Sequence, residues 1–150
     1  MKIDCIVIED EPLATAKLVE YIEKLDFLLL KSTFDNGIDA INYLRSNDVS
    51  LIFLDIQMKK LDGIQFMNAM SGRAKIIITS AYSEYALKGY EHNVSDFLLK
   101  PFGFDRFLKA VNKVSSDLTD NQKINNEFIF VKTEYRIERI DLNDILLSKE

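Results

Sequence analysis

Short apolar runs alternate along this chain with stretches whose apolar residues recur every three or four positions. IDCIVI, from Ile3 to Ile8, has the pattern of a buried strand and is followed at once by Glu9, Asp10 and Glu11. Pro12 suits the first turn of a helix running to about Leu25, with Leu18, Ile22 and Leu25 on one face. Phe27 to Ser32 reads as a second strand, and Gly37 to Ser46 as a short helix carrying Ile38, Ile41 and Leu44. LIFL (Leu51 to Leu54) is the third strand and delivers Asp55 at its end. Leu61, Asp62 and Gly63 lead into a helix holding Phe66, Met67 and Met70. KIIIT (Lys75 to Thr79) is the fourth strand, ending at Ser80. A helix over about 83–91 precedes the fifth strand, Ser95 to Leu99. Phe104, Phe107, Leu108, Val111 and Val114 mark a final helix.

Five repeats of strand then helix predict an α/β fold: a doubly wound parallel sheet with helices on both faces. Strands covered on both faces should be continuously apolar, as LIFL and KIII are. After Ser115 the character changes. SSDLTDNQKINNE is polar and reads as a linker or helix end. Phe128 to Val131 and Tyr135 to Ile140 look like two short strands around Thr133-Glu134, too few residues for a core of their own, so the end reads as cut short.

Composition narrows the class. The apolar fraction of 47% and charged fraction of 29% are those of an ordinary globular protein. No apolar run reaches the ~20 residues that span a bilayer, and acids stand where a signal peptide would be apolar. The single cysteine fits a reducing cytoplasm, and its place in the first apolar run makes Cys5 a packing residue. A net charge of −5 argues against broad nucleic-acid binding by this segment.

The chemistry is concentrated at strand ends, where open parallel sheets bind their ligands. Strand one ends in Glu9, Asp10 and Glu11, strand three in Asp55, strand four in Ser80 and strand five in Lys100. Converging carboxylates repel unless a cation joins them, and oxygen donors favour Mg²⁺ or Mn²⁺. A carboxylate flanked by metal and lysine suits phosphoryl acceptance, because both charges stabilise the equatorial oxygens. Glu11 is better explained as a complement to the helix dipole. The chain has no GxGxxG and no GxxxxGK[ST], and its one histidine, His92, reads as a surface residue. A phosphatase of the haloacid-dehalogenase type would want an acid two residues after the nucleophile, where Gln57 stands.

IVIEDEP, LIFLDIQMKKLDGIQF, IIITSAYSEYAL and DFLLKPF, in this order over about Ile3 to Val114, resemble the receiver domain of bacterial two-component response regulators. SAYSEYALKGYE and DFLLKPF are most similar to receivers of the LytTR class. The resemblance implies strand order 2-1-3-4-5 and a non-enzymatic phosphorelay protein of the cytoplasm. It implies that Asp55 accepts a phosphoryl group from a sensor histidine kinase. Asp10 and Asp55 would ligate Mg²⁺ (or Mn²⁺) directly, with the Gln57 carbonyl as a further ligand and Glu9 acting through water. Ser80 resembles the switch hydroxyl, Lys100 the phosphate-pairing lysine and Phe97 the switch aromatic, with the Lys100-Pro101 bond expected cis. The implied organisation is a receiver over 1–116, a linker over 117–126 and, over 127–150, the start of a LytTR-type DNA-binding domain. DNA would be bound only through the full-length C-terminal domain. Dimerisation is expected through the fourth helix, fifth strand and fifth helix, where Tyr82, Tyr85 and Tyr90 lie on or near the fourth helix. The competing reading is a pseudo-receiver that docks or dimerises without being phosphorylated.

Overall fold

The apolar runs become strands of one sheet because most of their side chains can be buried on both faces at once. In the computed structural model, residues 2–58, 62–70, 72–84 and 94–120 are described. The order is β1 (Ile3–Ile8), α1 (Pro12–Glu23), β2 (Leu28–Phe34), α2 (Gly37–Leu44), β3 (Leu51–Asp55), α3 (Gly63–Ala69), β4 (Lys75–Ser80) and β5 (Asp96–Leu99). Residues 104–120 are helical. The chain divides into two units, Met1–Val114 and Ser115–Glu150, and the first holds every strand of the sheet. Of the helix expected over 83–91, Ser83 and Glu84 form a turn, and 85–91, with Tyr85 and Tyr90, lies outside the described residues, as do His92 and the two tail strands.

The sheet is parallel throughout, in the order β2-β1-β3-β4-β5. The expected doubly wound arrangement is therefore present. The central strand β3 is buried along its whole length, whereas the edge strand β2 is buried only at Leu28 and then alternates exposed and half-buried positions. On one side of the sheet, Ile6, Ile8, Ile52, Leu54, Ile76 and Ile78 pack with Ala40 and Leu44 of α2 and Phe66 and Met67 of α3. On the other side Phe53 stacks on Phe107 at 5.4 Å, and Tyr21 of α1 lies 5.4 Å from the same ring.

Local chemistry sets the helix starts. The Glu11 side chain caps α1 by accepting from the Ala14 amide at 2.8 Å, and Pro12 occupies its first turn. Asn36 caps α2 in the same way through the Asp39 amide, and Asp62 and Gln65 form a capping box on α3. Gly63 is required by proximity: a Cβ there would stand 2.4 Å from the Ile56 Cα. That contact seats α3 against the end of β3, and the Gly63 amide donates to the Ile56 carbonyl at 3.0 Å.

Three boundaries differ from the pattern by two residues, one being α2, which ends at Leu44 and not Ser46. Helix α1 stops at Glu23, where the Leu25 amide turns back to the Ile22 carbonyl instead of continuing the helical ladder. Strand β2 continues past Ser32 to Phe34. An irregularity between Cys5 and Ile6 lets the pairing run on to Ile8 opposite Phe34. An edge strand can pair its backbone without apolar side chains, so hydrophobicity alone ends it too early. Cys5 is fully buried, and burial first, then the Asp4 charge, pushes its thiol up to about 12, in keeping with a packing role.

Candidate functional site

Strand register carries the expected residues to one edge. Ile8 is opposite Leu54 and Asp55 opposite Thr79, so Glu9 follows β1 at the level where β3 ends. The Lys100 amide donates to the Ser80 carbonyl at 2.7 Å, which fixes the start of the segment after β5 beside the end of β4. Because side chains alternate, Ile8, Leu54, Ile78 and Phe97 face one core while Glu9, Asp55 and Lys100 turn the other way.

The three acids meet. One carboxylate oxygen each from Glu9, Asp10 and Asp55 lie within 4.8 Å of one another. Glu9 is buried; its Oε1 accepts from Lys100 Nζ at 2.7 Å and its Oε2 from the Glu11 amide at 3.2 Å. Lys100 Nζ lies 3.7 Å from Asp55 Oδ2, and Asp55 Oδ1 accepts from the Gln57 amide at 3.0 Å. Lysine is thus closer to Glu9 than to Asp55.

The electrostatics show an unbalanced charge. Burial, the hydrogen bond shared with Glu9 and the Glu9 charge raise the Asp55 carboxyl from its ordinary 3.8 to about 7. The Gln57 amide and Lys100 oppose that rise without cancelling it. One lysine does not neutralise three clustered carboxylates, so the donor set fits a small, hard divalent cation.

Ser80 sits at the end of β4, nearly inaccessible to solvent. Its hydroxyl accepts from the Tyr82 amide at 3.0 Å and donates to the Tyr82 carbonyl at 3.3 Å, so it is engaged with the following turn and not with Asp55. Phe97 is half-buried against the Ile78 side of the sheet. The Lys100-Pro101 peptide is cis. Tyr82 is exposed.

Several contributors carried no signal in the sequence pattern. Thr79 is fully buried beside Asp55 in the register, and its hydroxyl has no hydrogen-bond partner. The Tyr21 hydroxyl donates to the Phe102 carbonyl at 3.2 Å, tying α1 to the loop that follows Lys100. Asp96 and Arg106 form a two-pronged ion pair at 2.8 and 3.0 Å. Only contacts between distant segments make these residues notable.

Comparisons with known proteins agree with this fold. A family model described as the response regulator receiver domain matches residues 5–112. The chain is 30% identical to "Sensory transduction protein LytT" of Oceanobacillus iheyensis over 97% of its own length and 62% of that protein's. It is 29% identical to "Transcriptional regulatory protein YpdB" of Escherichia coli K12, covering 96% of this chain and 64% of that one. It therefore spans less than two thirds of the length of these curated relatives. Among solved structures, the response regulatory domain of MrkE from Klebsiella pneumoniae superposes with a TM-score of 0.74 at 29% identity, covering 78% of this chain and 98% of that one. The response regulator TrrA from Thermotoga maritima, solved in complex with Mg²⁺-BeF, superposes with a TM-score of 0.67 at 28% identity, over 76% and 99%.

Proposed function

The chain belongs to the response regulator receiver domain family, and from that premise we propose that Asp55 accepts a phosphoryl group from a sensor histidine kinase. The observation that carries this reading is the meeting of Glu9, Asp10 and Asp55 beside the ammonium of Lys100. An Asp55 oxygen attacks phosphorus as the bond to the imidazole nitrogen breaks, and the bonding pair returns to that nitrogen. Asp10, Asp55 and the Gln57 carbonyl would hold Mg²⁺ (or Mn²⁺), with Glu9 contributing through water. When bound, the ion supplies positive charge to the phosphoryl oxygens. Lys100 moves its charge from Glu9 toward the phosphorylated Asp55, a shift of partner within one pocket. No other catalysis is assigned to the chain beyond its own phosphoryl transfer and hydrolysis.

The switch follows from how Ser80 is held. Its two bonds to Tyr82 are exchanged for one to a phosphoryl oxygen, which frees the turn after β4. Phe97 then rotates into the space this opens. A few kcal/mol of differential stabilisation is enough to invert such an equilibrium.

The organisation proposed is a receiver over 1–116, a linker over 117–126 and the opening of a LytTR-type DNA-binding domain over 127–150. The match to LytT continues beyond the receiver to 97% of the chain, and YpdB is named a transcriptional regulator. The protein then acts in the cytoplasm, dimerises through the fourth helix expected from the sequence, the fifth strand and the fifth helix, and reaches DNA through the complete C-terminal domain. Among the described residues no helix is long and apolar enough to cross a membrane.

The test is a mass measurement after incubation with Mg²⁺ and a small phosphodonor. One phosphoryl group is expected, with none incorporated when chelator is present throughout or in Asp55→Asn. A folded chain that gains no mass would refute the reading and favour the pseudo-receiver.

A further inference from the structure

Among the described residues strand β5 is an edge of the sheet, and peptide groups on its outer side have no neighbouring strand there. At Phe97 both main-chain groups are nevertheless satisfied. The Phe97 amide donates to Asp96 Oδ1 at 2.8 Å, and its carbonyl accepts from Arg106 Nη2 at 3.0 Å. The same Nη2 also donates to Asp96 Oδ1 at 2.8 Å, and Nη1 to Asp96 Oδ2 at 3.0 Å. One guanidinium thus closes a ring of four hydrogen bonds around the backbone of a single residue. Its planar fork suits this, because two nitrogens hold both carboxylate oxygens and the carbonyl at once, whereas a lysine offers its donors from a single nitrogen. Arg106 belongs to the helix over 104–120, so the ring joins that helix to the strand at Phe97.

We infer that Arg106 is a positioning residue for the switch: it anchors the Phe97 main chain so that the response to phosphorylation is a ring rotation, and it passes the change to the helix beginning at 104. This rests on the reading of Asp55 as phospho-acceptor and of Phe97 as its reporter. With the backbone held on both sides, strand sliding is not available as a response. Because Arg106 holds both the Asp96 carboxylate and the Phe97 carbonyl, the repacking that follows the ring's rotation bears on a strand to which the helix beginning at 104 is tied. The residue lies outside the acid cluster, so the chemistry at Asp55 does not need it.

The test uses the full 150-residue chain with Mg²⁺ and a small phosphodonor, comparing wild type, Arg106→Met and Arg106→Lys. Amide chemical shifts over 104–114 are followed by NMR, and phosphoryl incorporation by mass. Both variants should incorporate phosphoryl as wild type does, yet lose the phosphorylation-induced shifts over 104–114 while keeping those near Ser80. Arg106→Lys retains charge and stem, and so reports even where Arg106→Met does not fold. A purely structural clamp would lower the unfolding midpoint and leave those shifts intact, and that result would overturn the inference. No incorporation in wild type would instead overturn the phospho-acceptor reading, and this inference with it.

Discussion

Replacing Asp55 by asparagine should stabilise the metal-free protein, and by an amount that grows with pH. The fold raises the Asp55 carboxyl from 3.8 to about 7, with burial the largest cause and Glu9 the next. The sign follows from linkage: a carboxyl whose folded pKa is raised prefers its proton in the fold. Stability is then fully present below 3.8 and is lost as pH rises toward about 7, beyond which no more is lost. Asparagine carries no such charge. A rise from 3.8 to about 7, at ~1.4 kcal/mol per pH unit, sets a ceiling of ~4 kcal/mol. Relaxation around the charge brings the expected gain at pH 8 to ~2–4 kcal/mol. Urea unfolding of the two proteins in chelator at a series of pH values measures it, because titrations common to both cancel in the difference. Adding Mg²⁺ should narrow the gap, since the ion binds the native carboxylate and stabilises the wild type by mass action. A difference independent of pH, or a wild type more stable at pH 8, would refute the electrostatic account of the site.

Lys100→Met removes the cation from a Glu9 side chain with no solvent exposure and should cost about 2–3 kcal/mol in urea unfolding. Adding Glu9→Gln should restore much of that stability without restoring phosphoryl incorporation by mass. Thr79→Val removes a buried hydroxyl without a partner and keeps the side-chain shape, so thermal unfolding should show a gain of ~1 kcal/mol. Gly63→Ala drives a methyl into the Ile56 backbone and should cost more than ~2 kcal/mol, read by the same unfolding scan.

The alternation of runs such as LIFL and KIII with helical spacing is enough to predict the doubly wound sheet, because a strand covered on both faces has no polar position to spare. The acids, the serine and the lysine are likewise legible, since each directly follows or ends an apolar run and a parallel sheet gathers such ends at one edge. Strand β2 is the instructive exception. Thr33 and Phe34 lie past the end at Ser32 that the pattern predicts, yet they pair with Val7 and Ile8 of β1 at an edge where side chains can face water. Whatever depends on two distant segments meeting is decided only in three dimensions. Lys100 could have paired equally with Asp55 by its position in the chain; the tertiary structure brings it to 2.7 Å from Glu9 and 3.7 Å from Asp55. Nothing in the spacing of Asp96 and Arg106 announces the ring around Phe97, nor does a threonine in an apolar strand announce a hydroxyl without a partner. Periodicity in one dimension records which face a residue serves. The partner it finds there depends on strand register and helix packing, and those are set by the whole core at once.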